Sequence, residues 1–430
     1  MPRTPPNALP GRSSHKVSRI IIMPTFPFQL SHGFCHPRQG SSRCIRIVVC
    51  AVATLAVVGV TGLAAPARAA APPTEVNTCG QVFSGSGFLS GDLDCSGFVG
   101  TAITIQGGTL NLQGFTLTAP SVSDAPVIAC AKSCKIVSDA VGATITASGS
   151  GVTSVISGLA GPNGPKINIR ISNVVINDVA VATGPGNVKI LDSTVMGITD
   201  SSHFGALDAD RVTLVRSVVT GNSVPGIFGR AKLIDSEVSN NTGVGVDGTA
   251  VLKRSMIFGN SGDGIGPGDR VRISDSSITG NGGIGINLSI SGGGKAKILR
   301  SDISGNGLQG ILGASHRVVA RESTITNNGA EGIRLENVGV VKLRDSTITG
   351  NALDGVAQDN IFVNTTCKLR LQGTTTVTGN GTDPSCGVSR TCADLTSCGL
   401  PDVDATSMCN TSYDVNSGFP GVSWGVCALD

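Results

Sequence analysis

Between Ser193 and Ser346, short runs with an apolar residue at every second position alternate with runs of Gly, Asn, Asp and Ser, and the alternation recurs. One unit reads "GIRL" (Gly332 to Leu335), "VVKLR" (Val340 to Arg344) and "STIT" (Ser346 to Thr349). A period of two predicts β-strands and the Gly- and Asn-rich breaks predict turns, so each unit holds three short strands and three turns. Aligned on the Ser of "DS" or "RS", the copies fall at Ser193, Ser217, Ser236, Ser255, Ser276, Ser301, Ser323 and Ser346, a period of about 22 residues.

A unit of that size cannot bury its apolar face alone. Stacked parallel coils pair every strand with the next coil at about 4.8 Å and share one interior, so the pattern predicts a parallel β-solenoid. Leucine-rich repeats share the period but carry a Leu-dominated consensus, and propeller blades need about 40 residues.

Stacking turns each repeat position into a column. Asn222, Asn241, Asn260, Asn281, Asn306, Asn328, Asn351 and Asn380 form one, where amides can bond along the stack and Asn tolerates left-handed backbone. The serines form a second turn ladder. Just before them stand Asp192, Arg216, Asp235, Arg254, Asp275, Arg300, Glu322 and Asp345, a near-alternation of charge that favours correct register. Ile265, Ile286, Ile311, Ile333, Val356 and Leu335, with Ile278, Ile303, Ile325 and Ile348, are the expected core.

Composition changes the picture at the ends. With 59 Gly and 3% aromatics in 430 residues, the chain departs from an ordinary globular enzyme. Residues 1–70 contain no acid. Arg38, Arg43 and Arg46 precede the apolar run "IVVCAVATLAVVGV" and then "APARAAAPP", the order of a secretory signal peptide cleaved near Ala69 or Ala71. The run is shorter than the ~20 residues of a membrane span, so no span is expected after cleavage. The mature chain keeps 32 − 8 = 24 basic against 29 acidic residues, near −5, which removes the electrostatic basis for a nucleic-acid partner.

Ten cysteines remain, Cys79, Cys95, Cys130, Cys134, Cys367, Cys386, Cys392, Cys398, Cys409 and Cys427. An even set in an exported chain reads as disulfides. Cys79 and Cys95 bracket an expected first-coil cap, and Cys386 to Cys427 lie in a turn-rich stretch expected to staple the other end. The expected organisation is a leader over 1–70, a solenoid over 71–380 and a Cys-rich cap over 381–430.

The stretch "DLDCSGFVGTAITIQGGTLNLQGFTLTAP", followed by the "DSxITGN…GI" repeats, resembles the right-handed parallel β-helix repeat proteins of the pectate-lyase-like superfamily across most of 79–380. The resemblance implies an all-β, right-handed parallel β-helix of three-strand coils. It does not choose among the family's polysaccharide lyases, glycoside hydrolases, uronate epimerases, tailspikes and adhesins. The hydrolase signature of adjacent D-D with G-H-G is absent, and so is the epimerases' D-P-H-E. Only His203 and His316 survive leader removal, each expected to be solvated or structural.

One catalytic route stays open: β-elimination in which carboxylates hold Ca2+ and an Arg removes the proton beside a uronate. Glu331 and Asp354 stack before one strand, and Glu336 and Asp359 stack at its end, with Arg334 between. They are the candidate Ca2+ ligands, and Arg334 the candidate base. A solvated acidic face relieved by Lys342 and Arg344 is the alternative. Repeat-region aromatics, Phe204, Phe228, Phe258 and Phe362, are too scattered in sequence to form an obvious sugar platform.

The expected function is an exported scaffold, secreted, at the cell surface or periplasmic, that binds glycans or another surface and requires no cofactor. The alternative is a Ca2+-dependent lyase acting on acidic polysaccharide. A trimeric tailspike-like assembly is a third reading.

Overall fold

The computed structural model describes residues 71–120, 126–147, 155–158, 165–199, 203–288, 294–314, 317–336, 339–359, 368–381, 390–393 and 425–429, with backbone only at Gln358, Asp359, Lys368 and the last two segments. The expected leader and His316 lie outside them. The described chain is a stack of β coils with no helix, and so none that could cross a membrane.

Its strands fall into sheets of 18, 13 and 5 members. In the first half of the stack two faces of the coil are fused into single long strands, Ala180–Leu191, Leu207–Val215 and Ile227–Ile234. Register shifts at Ala182/Gly184 and Asp208/Arg211 mark where the strand turns the corner. Later coils separate the faces: Ile286–Leu288 belongs to one sheet and Lys295–Leu299 to another. Pairing is parallel along the stack, as between Thr324–Thr326 and Thr347–Thr349. At the end, Arg390–Ala393 pairs antiparallel with Val356–Asp359, and Gly425–Leu429 lies parallel on Lys368–Gln372. Both strands occupy edges that would otherwise template another chain.

The interior is the aliphatic column that period-two patterning predicts. Ile278, Ile303 and Ile348 are fully buried, as are Ile265, Ile286, Ile311, Ile333 and Val356. Each such side chain contributes about 1.5–3 kcal/mol by leaving water.

Polar columns hold the corners. In the Asn ladder each Nδ2 donates to the Oδ1 of the next coil, from Asn222 to Asn241 at 2.7 Å through Asn351 to Asn380 at 2.7 Å. The same oxygens accept backbone N–H groups, as between Asn281 and Asn306 at 3.2 Å. From Asn222 to Asn351 the ladder is buried, 1% exposed at Asn281, so its amides must be satisfied by the protein itself, and the Nδ2 of Asn281 also donates to the Ile257 carbonyl at 3.2 Å. The left-handed residue is not the ladder Asn, as its chemistry suggests, but the one before it: Gly221, Asn240, Gly259, Gly280, Gly305, Asn327 and Gly350. The ladder Asn is spent on stacking, and its neighbour makes the bend.

A glycine column supports this corner. A Cβ on Gly285 would stand 2.6 Å from the Gly310 carbonyl oxygen and 2.8 Å from the Asn306 amide nitrogen. That explains the Gly of the recurring "GI". In the serine ladder, Ser276 donates its backbone N–H to the Ser301 hydroxyl at 3.2 Å, and its own hydroxyl donates to the Ser274 carbonyl at 2.7 Å.

The alternating charge column occupies left-handed backbone throughout, from φ 44° at Arg300 to 52° at Asp275. Its pairs are bidentate: Arg216 to Asp192 at 2.6 and 2.8 Å, Arg254 to Asp235 at 2.6 and 2.8 Å, Arg300 to Asp275 at 2.7 and 3.2 Å. The alternation fails where Asp345 follows Glu322. There Arg344 approaches Asp345 at 3.2 Å, and the Thr374 N–H donates to it at 3.1 Å.

Among the described residues two disulfides are formed, Cys79–Cys95 across the first coil and Cys130–Cys134, with Cα separations of 5.7 and 5.9 Å. The C-terminal cysteines' side chains lie outside the described residues.

Candidate functional site: a basic track

The residues proposed for calcium occupy different environments. Glu331 and Asp354 are fully buried, stacked in the column that also contains Gln309, whose Nε2 donates to Glu331 at 2.9 Å. Neither lies on a solvated face, in contrast to the simplest reading of two acids in a turn. Arg334 and Glu336 are half-exposed. Arg334 is in register with Ala357, and its strand neighbour Leu335 with Gln358; the Asp359 side chain lies outside the described residues. Among the described residues no group of three or more His, Cys, Asp or Glu is placed to hold a metal ion.

Strand register brings other residues together. Arg170 pairs with Lys135 on one side and Lys189 on the other. The column then runs through Thr213, Lys232, Val251, Arg272, Lys297, Val319, Lys342 and Arg370. Of these eleven successive positions eight are cations and none is an acid. Ten coil steps of about 4.8 Å make a track about 48 Å long. A parallel column two residues earlier in the strands adds Arg211 opposite Arg230, then Arg270, Lys295 and Arg317 in sequence. The residues between the two columns, such as Val271, Ala296 and Val318, point inward and are buried, so both columns face solvent.

Like charges at coil spacing repel, and the lysines register it. Desolvation, then Lys297, Arg317, Arg272 and Arg270, holds Lys295 below its ordinary 10.5. Desolvation, then Arg317, Arg370 and Arg321, does the same to Lys342. Of the acids in the neighbouring turn, Asp192, Asp235 and Asp275 are engaged by the ladder arginines. A groove of about 680 Å³ runs over Lys232, Val251, Arg272, Lys297 and Val319, and one of about 150 Å³ lies among Arg270, Arg272, Lys295 and Lys297.

Net charge concealed this face, because a sum over the chain says nothing of where charge gathers. The signal was nonetheless in the repeat alignment. Four residues before the ladder serines stand Lys189, Thr213, Lys232, Val251, Arg272, Lys297, Val319 and Lys342. Register also joins two aromatics that look scattered in sequence: Phe204 and Phe228 lie with ring centroids 5.4 Å apart. Of His203, expected to be solvated or structural, the Nε2 is buried with no hydrogen-bond partner among the described residues.

Residues 218–381 match the family model described as the right-handed β-helix region, and with the parallel coils already described the chain is a right-handed parallel β-helix repeat protein. No curated protein matches the sequence. Among solved structures, the crystal structure of the periplasmic alginate epimerase AlgG is similar at 14% identity and TM-score 0.35, over 70% of this chain and 81% of that one. Two point mutants of the same epimerase align over the same shares with TM-scores of 0.36 and 0.32.

Proposed function

We propose that the protein is a binding scaffold for acidic polysaccharide, laid along the basic track. The observation that carries this reading is the column from Lys135 to Arg370, in which eight of eleven stacked positions are cations and none is an acid. A fold that balances charge in one column has no structural use for an unbalanced one a few residues away. The excess field is an invitation to a polyanion, and its length suits a polymer better than a small molecule.

Polysaccharide is favoured over nucleic acid by the compartment that the cysteines imply. Disulfides at Cys79–Cys95 and Cys130–Cys134 suit an oxidising compartment outside the cytoplasm.

The test is calorimetric titration of the mature chain with a polyuronate, a neutral glucan and duplex DNA. Salt-sensitive binding of the polyuronate alone is expected. Equal affinity for the glucan, or tighter binding of DNA, would overturn the proposal. Release of unsaturated uronate in the presence of Ca2+, seen by its ultraviolet absorbance, would replace the scaffold with the lyase reading built on Arg334.

A further inference from the structure

We infer that Phe204 and Phe228 form a stacking platform for one sugar ring of the bound polymer, beside the basic track. This rests on the polysaccharide reading and names a subsite within it. The rings are tilted 31° to each other with centroids 5.4 Å apart, and they are 70% and 39% exposed. A ring pair that served only packing would bury its faces; Phe204 in particular contributes little to the core.

The local chain is built to hold the pair. Leu207 pairs with Ile227, and the Ala206 N–H donates to the Pro225 carbonyl at 2.8 Å, which sets the preceding turn over the next coil. Gly205 eases this approach, because a Cβ there would stand 3.0 Å from the Phe228 backbone nitrogen, tighter than an ordinary contact. The turn therefore lies directly on the Phe228 backbone, and the two rings meet across it.

The surroundings specify a hydroxyl-rich ligand. Phe228 is in register with Asp208 on one side and Asp247 on the other, so a carboxylate flanks the ring in each adjacent coil. Neither carboxylate has a hydrogen bond to another described residue, and both can accept one. Burial holds Asp208 above its ordinary 3.8, with His203 opposing; burial and then Asp263 do the same for Asp247. An apolar ring between two acceptors matches a sugar, whose C–H face is apolar and whose rim is hydroxyl. Arg211 and Arg230 follow Asp208 and Phe228 in the same two strands. A uronate ring on the platform would thus have cations of the track within reach for its carboxylate.

The experiment compares two polyanions on the mature chain: a uronate hexasaccharide, which has ring faces, and inorganic polyphosphate, which has none. Phe204→Ala and Phe228→Ala should each weaken the hexasaccharide about 3- to 10-fold and leave polyphosphate unchanged. Phe204→Leu, which keeps apolar bulk at an exposed position, should weaken it nearly as much as alanine. Unchanged hexasaccharide affinity in both alanine variants, or an equal loss on polyphosphate, would overturn the platform while leaving the track intact. Wild-type protein that binds neither polyanion would overturn both.

Discussion

Two charged columns run side by side along this solenoid, and they obey opposite rules. In the turn ladder from Asp192 to Arg300 every cation meets a carboxylate one coil away, at 2.6 or 2.7 Å in each of three pairs. In the track, three residues earlier in each coil, Arg272 meets Lys297 and Lys342 meets Arg370. Stacking at about 4.8 Å makes a like-charged column costly. The ladder shows that this chain can avoid the cost, and its neighbour shows where it does not. Balanced columns are therefore read as structure and the unbalanced one as a site.

The largest effect should come from dismantling the track. Replacing Lys232, Arg272, Lys297 and Lys342 together by Ala is expected to weaken polyuronate binding on the order of 100-fold, as four exposed charge contacts add. The melting temperature should stay level or rise as repulsion is removed. A large drop in melting temperature would show the column to be structural and erase the contrast.

A third column, buried and uncharged, sets the scale for purely structural loss. Asn281→Ala removes the acceptor for Asn260 and a donor to Asn306 inside the stack. It is expected to cost about 2–3 kcal/mol in denaturant unfolding, without changing polyuronate affinity in the folded protein. Affinity that fell with stability would merge the two classes.

Salt should separate the charged columns more finely. Raising ionic strength from roughly 50 to 500 mM shortens the Debye length several-fold and should weaken polyuronate binding at least about tenfold, with little change in melting temperature. Binding should also fade as pH climbs toward 10.5, because Lys295 and Lys342 lose their protons below that value.

The smallest effect belongs to the ladder itself. Hydrogen bonds from Arg216, Arg254 and Arg300 hold Asp192, Asp235 and Asp275 below 3.8. Folded values below the unfolded ones mean that this contribution is present above pH 3.8 and is lost as pH falls through the folded values. Thermal melts of the Arg216→Ala, Arg254→Ala, Arg300→Ala triple variant should show a slightly flatter acid limb than wild type, and an identical limb would refute the pairing.

The fold was legible because a solenoid writes its geometry as periodicity. Alternating isoleucines, the Asn ladder and the charge alternation all occupy the positions that sequence reasoning assigns them. The site was less legible. Counting along a strand places Glu331 and Asp354 together, but both are buried, which alternation alone does not tell. Track residues stand far apart in sequence, as Lys232 and Arg272 do, with Val251 between. The uneven step between coils scatters them until the repeats are aligned on their serines. Phe204 and Phe228 come together for the same reason, through the pairing of Leu207 with Ile227.

The alternating ladder also gives the stack a parity. Removing one coil from its regular part would bring two carboxylates or two guanidinium groups face to face, whereas removing two would leave every remaining neighbour of opposite sign. The unit by which this molecule can grow or shrink without penalty is thus a pair of coils, and Glu322 beside Asp345 marks a place where that even count has slipped.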